Sequence, residues 1–218
     1  MRFDLLTIFP EIFDSYLKES IIMRAIKSKR LKIVVHDIRK WSKDRHHKVD
    51  APPYGGGPGM VMTPQPIYDC IKHVKKRNYG PVVFMSAAGK TFTQTKAANL
   101  FKKHRKTGMI ILCGRYEGVD QRVIDLLVDE EISIGKYVLT GGELPAMVVL
   151  DAIARYIPGV LGDEESSKEE SYSPALKGKK EYPQFTRPEV FRKLSVPDVL
   201  LSGHHAKIKK WREEHLRS

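Results

Sequence analysis

The chain has 218 residues, 41% of them apolar, with 38 Lys and Arg against 26 Asp and Glu, a formal net charge of +12. That length and composition suit one domain with a small appendage and exclude wholesale disorder and collagen-like repeats. No apolar run approaches the roughly 18 residues of a membrane-spanning helix. A charge at Asp4 breaks what would be a signal-peptide core, so the expected compartment is the cytoplasm. Cys70 and Cys113 are too few for a four-thiolate zinc site and are expected as reduced core thiols.

Along the chain, β-branched and apolar runs at 3–9, 31–35, 81–85 and 109–113 read as buried strands, each too short for a helix. Between them, residues 10–27 predict a helix with Ile12, Phe13, Tyr16, Leu17, Ile21 and Ile22 on one stripe. Further helices are predicted over 66–76, 93–106 (stopping at Gly108) and 120–128, the last capped by Asp120. A strand is expected between Gly135 and Gly141, leading into a helix over 145–156 with Pro145 in its first turn. Residues 204–216 read as a charged amphipathic helix with Ile208 and Trp211 facing inward. Strands alternating with helices predict an α/β fold with a mainly parallel sheet covered on both faces.

Charge divides the chain. Residues 1–162 hold 26 basic and 16 acidic groups, residues 163–171 one Lys and five acids, and residues 172–218 eleven basic and five acidic groups. The expected organisation is a domain over 1–162, a flexible acidic linker over 163–171, and a small helical domain over 172–218. Within the first piece, residues 18–48 carry eleven cations against three acids, and 72–77 and 102–106 add basic clusters. One such cluster is ordinarily a solvated helix face; together they favour a polyanion partner, of which nucleic acid is the commonest.

Several glycine loops follow strands. Residues 84–91 end like a phosphate-binding loop, but Phe84 stands where that loop needs glycine. Residues 54–60 place Met60 where a dinucleotide fingerprint needs its third glycine. Yet four glycines and a proline over 55–59 would let backbone approach a flat ligand. Residues 113–118 and 133–143 add two loops at strand ends, where ligands of parallel sheets sit, and together these loops favour a pocket. The His46-His47 pair is poorly spaced for chelation, so no metal ligands are predicted.

Taken together, Ile8-Phe9-Pro10-Glu11, Asp44-Arg45-His46, Pro53 to Met60, Gly114-Arg115-Tyr116-Glu117-Gly118, Ser133 to Glu143, Ile157 to Gly162, Tyr182 to Pro188 and Leu200 to His205 resemble the bacterial tRNA (guanine-N1)-methyltransferases of the SPOUT class. The resemblance runs along nearly the whole chain. It implies a C-terminal trefoil knot in the sheet domain and an obligate homodimer whose active sites are shared between subunits. The reaction it implies is methylation of tRNA at N1 of the guanine immediately 3′ of the anticodon, which maintains the reading frame. Bound S-adenosylmethionine would contact Phe84, Met85, Ser86 and Ala87; Gly114, Tyr116 and Glu117; Ile134, Gly135, Lys136, Tyr137, Val138 and Leu139; and Gly141, Gly142 and Pro145. The tRNA would be met by Asp50, Gly56, Gly57, Pro58, Gly59, Met60 and Ser171, and Glu117 would help hold the magnesium ion that some members use.

The implied chemistry has a physical reason. Guanine N1 carries a proton at neutral pH, so a general base must remove it, and charge then builds on O6, where a guanidinium can stabilise it. The family's arginine maps onto Arg155. Its aspartate base maps onto Glu170, with the neighbouring Glu169 as the alternative, a departure that adds one methylene, roughly 1.5 Å of reach. A rival reading is an RNA-binding homologue that has lost catalysis at Glu170; another is a SPOUT methyltransferase acting on a different RNA.

Overall fold

The chain divides into two compact units, Met1–Gly162 and Asp163–Ser218, and the computed structural model describes residues 1–162 and 169–217. Most of the acidic linker read from the sequence, 163–168, lies outside the described residues.

In the first unit, β1 (Arg2–Thr7) leads through a 3-10 turn at Pro10–Phe13, α1 (Asp14–Leu17) and α2 (Ser20–Lys27) to β2 (Lys32–Asp37). A short ribbon, β3 (Asp50–Ala51) and β4 (Val61–Met62), precedes α3 (Pro64–Lys75). Then β5 (Val82–Thr91), α4 (Gln94–His104), β6 (Met109–Cys113), α5 (Gln121–Leu127), β7 (Glu130–Ser133) and α6 (Glu143–Ala154) follow. Five strands pair in the order β2-β1-β6-β5-β7, every pairing parallel.

Period-two alternation along the strands builds a core on each face. Phe3, Leu5, Val83, Met85, Met109 and Ile111 point to the face covered by α2, α4 and α6. Leu6, Val82, Phe84, Ile110 and Leu112 point to the face covered by α3 and α5. Both cysteines are free and buried, as expected of core thiols; burial pushes Cys70 up to about 12. Among the described residues, no helix is long and apolar enough to cross a membrane.

Three expectations are corrected. The predicted single helix over 10–27 is broken into a 3-10 turn and two short helices, with Ser20 at a φ of 51°, which a continuous helix does not allow. The strand expected between Gly135 and Gly141 is a loop: Tyr137, Val138 and Leu139 are 55%, 87% and 40% exposed. The edge strand lies earlier, as β7, where Glu130 and Glu131 hide it from an apolar pattern; Lys96 pairs with Glu130 there. The tail, read as helical, also contains a hairpin.

That hairpin is β8 (Val190–Phe191) and β9 (Leu194–Ser195), followed by α7 (Asp198–Leu201) and α8 (His205–Glu214). Arg192 and Lys193 make its turn at φ 48° and 68°. Trp211 of α8 is the expected anchor: its ring stands 6.4 Å from Tyr182, 6.2 Å from Phe185 and 4.1 Å from His215.

Candidate active site

A cavity of about 470 Å³ opens at the carboxyl ends of β5, β6 and β7. Its first wall exists because β5 bulges: Met85 and Lys90 both face Ile132, so residues 86–89 leave the ladder and arch over the opening. The loop after β6 gives the second wall, with Tyr116 in the left-handed region at φ 60°, a conformation costing of order 1–3 kcal/mol for a non-glycine residue. The loop after β7, residues 134–142, gives the third.

Hydrogen bonds join the last two walls. Gly142 N donates to Gly114 O at 2.9 Å, and Arg115 and Gly141 form an isolated antiparallel bridge. Arg115 Nε donates at 2.9 Å to Glu143 Oε2, whose other oxygen accepts from Thr7 Oγ1 at 2.6 Å. The Arg115 guanidinium also lies 4.8 Å over the Phe9 ring. A Cβ at position 141 would come within 2.3 Å of Arg115 Nε, so any larger residue there must displace the Arg115 side chain.

The glycine loop at 55–59 is tied to the second wall. Met62 pairs with Val119 in a parallel bridge, Glu117 N donates to Met60 O at 2.9 Å, and Met62 N donates to Gly118 O at 2.9 Å. The Glu117 side chain fills the space that a side chain at Gly59 would need, 2.4 Å from the place of its Cβ. Asp50, half-buried on β3, pairs with Met62 at the base of the same loop.

Of the residues that the resemblance assigned to the methyl donor, Phe84, Met85, Ser86, Ala87, Gly114, Tyr116, Glu117, Ile134, Gly135, Tyr137, Val138, Leu139, Gly141, Gly142 and Pro145 line this cavity, while Lys136 does not. Arg115, inside the Gly114–Glu117 run that the resemblance assigned to the donor, lines it too, as does Thr140, which was not singled out. Arg155 caps the C-terminal end of α6, roughly 15 Å along the helix from Pro145, which lines the cavity, at 1.5 Å per residue. Itself partly buried, it falls on the same face of α6 as Leu144, 57% exposed, and Val148, 47% exposed.

In the second unit, Glu170 is partly buried and its carbonyl accepts from Ser173 N at 3.0 Å. The Ser171 hydroxyl donates to Glu181 Oε2 at 3.2 Å and accepts from Glu181 N at 3.0 Å. In the 44–50 segment, Asp44 accepts from the backbone of Lys48 and His46, which holds its carboxyl below its ordinary value. Among the described residues no group of three His, Cys, Asp or Glu side chains could hold a metal.

The basic clusters separate by position. Those at 72–77 and 102–106 close α3 and α4 and lead into β5 and β6, so they lie at the amino edge of the sheet, where cations suit helix C-termini. The cations from Arg39 to Lys48 follow β2 and lie at the carboxyl edge, the cavity's side. The Arg39 guanidinium lies over the Phe9 ring, 5.9 Å from its centroid.

A parallel α/β sheet with a glycine-lined cavity across the carboxyl ends of adjacent strands has the arrangement in which open α/β sheets bind their ligands. The volume falls within the roughly 300–1,000 Å³ of small-molecule sites. Comparison with known proteins goes further. The family described as tRNA (Guanine-1)-methyltransferase TrmD matches residues 1–218, and the chain belongs to it. It is 51% identical over 217 residues to a tRNA (guanine-N(1)-)-methyltransferase of Clostridioides difficile, covering 98% of this chain and 91% of that protein. A protein of the same name from Caldanaerobacter subterraneus is 53% identical over 214 residues, covering 98% of this chain and 86% of the relative.

Proposed function

We propose that the chain is a cytoplasmic tRNA (guanine-N1)-methyltransferase that takes its methyl group from S-adenosylmethionine and modifies the guanine immediately 3′ of the anticodon. The full-length family match carries this reading. The residues present fit the donor. Phe84, Met85, Ile134, Val138, Leu139 and Pro145 offer apolar cover for a heterocycle, and the loop backbones offer amide and carbonyl groups. Residues 114–151 hold eight carboxylates against three cations, a balance that suits a sulfonium.

When bound, the donor supplies a methyl on positively charged sulfur, ready for in-line attack. The protein must then make guanine N1 nucleophilic. Glu170 takes the N1 proton, Arg155 stabilises the charge arising on O6, and the loop at 56–60 with Asp50 and Ser171 receives the RNA. Glu117 would be the protein ligand for magnesium where that ion is used; with no cluster of three ligating groups among the described residues, no step is assigned to it.

Arg155 is not among the residues that line the cavity and caps the opposite end of α6 from Pro145, which is. The place of Arg155 on the same face as the exposed Leu144 and Val148 supports a homodimer in which that face meets a second copy and each site draws on both. The bonds that pass residues 140–142 against residues 114–115 support the trefoil knot. The division into a cofactor-binding domain over 1–162, a linker over 163–171 and a tRNA-binding domain over 172–218 belongs to the same reading.

The test is direct: purified protein, labelled S-adenosylmethionine and a tRNA with guanine 3′ of its anticodon should yield 1-methylguanine. Binding of tRNA without product at any magnesium concentration would overturn the reading in favour of a non-catalytic homologue. Transfer to ribosomal RNA alone would redirect it to another substrate.

A further inference from the structure

Glu143 is a carboxylate on the first turn of α6 and is 1% exposed. A charge so placed is costly unless each oxygen has a partner. Both do: Thr7 Oγ1 donates to one and Arg115 Nε to the other. Thr7 is itself fixed, because its hydroxyl accepts from Phe9 N at 2.9 Å. The helix N-terminus would welcome a carboxylate pointing to solvent equally well; what inward burial adds is a hold on Arg115. That residue belongs to the second cavity wall, and its Nη1 donates to Thr140 O at 3.3 Å in the third. Its guanidinium also occupies the space left by the missing side chain of Gly141.

We infer that Glu143 is a positioning residue for the methyl donor: by holding Arg115 across the gap between the loops after β6 and β7, it sets the spacing of the two walls that grip the ligand. The inference rests on the cofactor reading above. Thr7, Phe9, Arg115 and Glu143 thus form one clamp, with the carboxylate as its only acceptor side chain for both Thr7 and Arg115. An amide in its place has the same size but no charge: with its oxygen toward Arg115 it makes only a neutral, weaker bond to the guanidinium, and turned the other way it sets N–H against N–H.

Calorimetric titration of S-adenosylmethionine into the full-length protein tests this. Glu143→Gln should weaken donor binding about tenfold, with turnover at saturating donor within threefold of wild type. The double variant Glu143→Gln/Arg115→Gln should bind no more weakly than Arg115→Gln alone, because the two side chains act as one unit. A Glu143→Gln protein with lowered melting temperature and wild-type donor affinity would show a purely structural role and overturn the inference; so would losses that multiply in the double variant. If Glu143→Gln does not fold, Arg115→Gln carries the test, and unchanged donor affinity in it overturns the clamp. Failure of the wild-type protein to bind the donor at all is a separate outcome: it removes the cofactor reading, and the inference with it.

Discussion

Two buried carboxylates sit at opposite edges of the same sheet. Asp4, 0% exposed, lies toward the amino edge and is gripped by Arg2 at 2.6 and 2.8 Å, Asn78 at 2.7 Å and His36 at 2.7 Å. Asn78 also donates to Met109 O at 3.0 Å, so this cluster ties together β1, β2 and β6. Glu143, at the carboxyl edge, joins one strand end to two loops instead. The same device therefore does different work. Where its partners are on strands it holds the sheet; where they are on loops it can shape a ligand site while the sheet stays as it is.

The largest expected effect probes the exception to this division, Arg155, which does not line the cavity. Arg155→Ala should lower turnover by roughly 10²–10³ and leave the donor's Kd within twofold. Equal losses in both would place Arg155 in the cofactor site and break the comparison. Mixing Arg155→Ala with a cavity-blocked Gly141→Val protein should restore about a quarter of wild-type activity through hybrid dimers; no recovery would argue against shared sites.

Next is Asp4→Asn, expected to cost about 3 kcal/mol in urea unfolding at neutral pH with donor affinity unchanged. Burial pushes the Asp4 carboxyl up, but hydrogen bonds from His36, Arg2 and Asn78 outweigh it and hold the group well below its ordinary value. A depressed folded value means that its stabilisation is complete above about pH 4 and is lost as pH falls below that. The wild type should lose its advantage over Asp4→Asn on acidification; an advantage that grew on acidification would contradict the assignment. The smallest effect is expected of Gly141→Ala, whose added methyl must displace Arg115: donor affinity should fall about fivefold with little change in melting temperature. A large loss of stability there would mean that the carboxyl edge, too, supports the sheet.

Much of the scaffold was legible because its signals are local. Met109–Cys113 reads as a strand from composition alone, and Asp120 reads as a cap, its carboxylate accepting from Arg122 N at 3.0 Å. The glycine loops could be ranked as a pocket from their places after strands. β7 is hidden in the sequence because it is an edge strand that carries two glutamates, and the apolar residues 137–139 read as a strand because ligand-lining and core-facing residues share a composition. The clamp was hidden for a different reason. Glutamate on a helix is ordinarily a surface residue, and nothing in the spacing of Thr7, Arg115 and Glu143 brings them together; Thr7 and Glu143 are 136 residues apart.

The sequence by itself determined the class of the protein: a basic α/β chain with glycine loops after its strands and, through the resemblance that those loops carry, a family. Short-range rules suffice for this, since periodicity, capping and glycine placement act within a few residues. Only the tertiary structure decided which charges have which task. It placed the basic clusters of α3 and α4 at the amino edge and the cations from Arg39 to Lys48 at the carboxyl edge. It buried Asp4 in a strand cluster and Glu143 behind the cavity. A carboxylate or a guanidinium has no fixed role in a sequence, because its energy depends on burial and on partners that only the folded chain supplies.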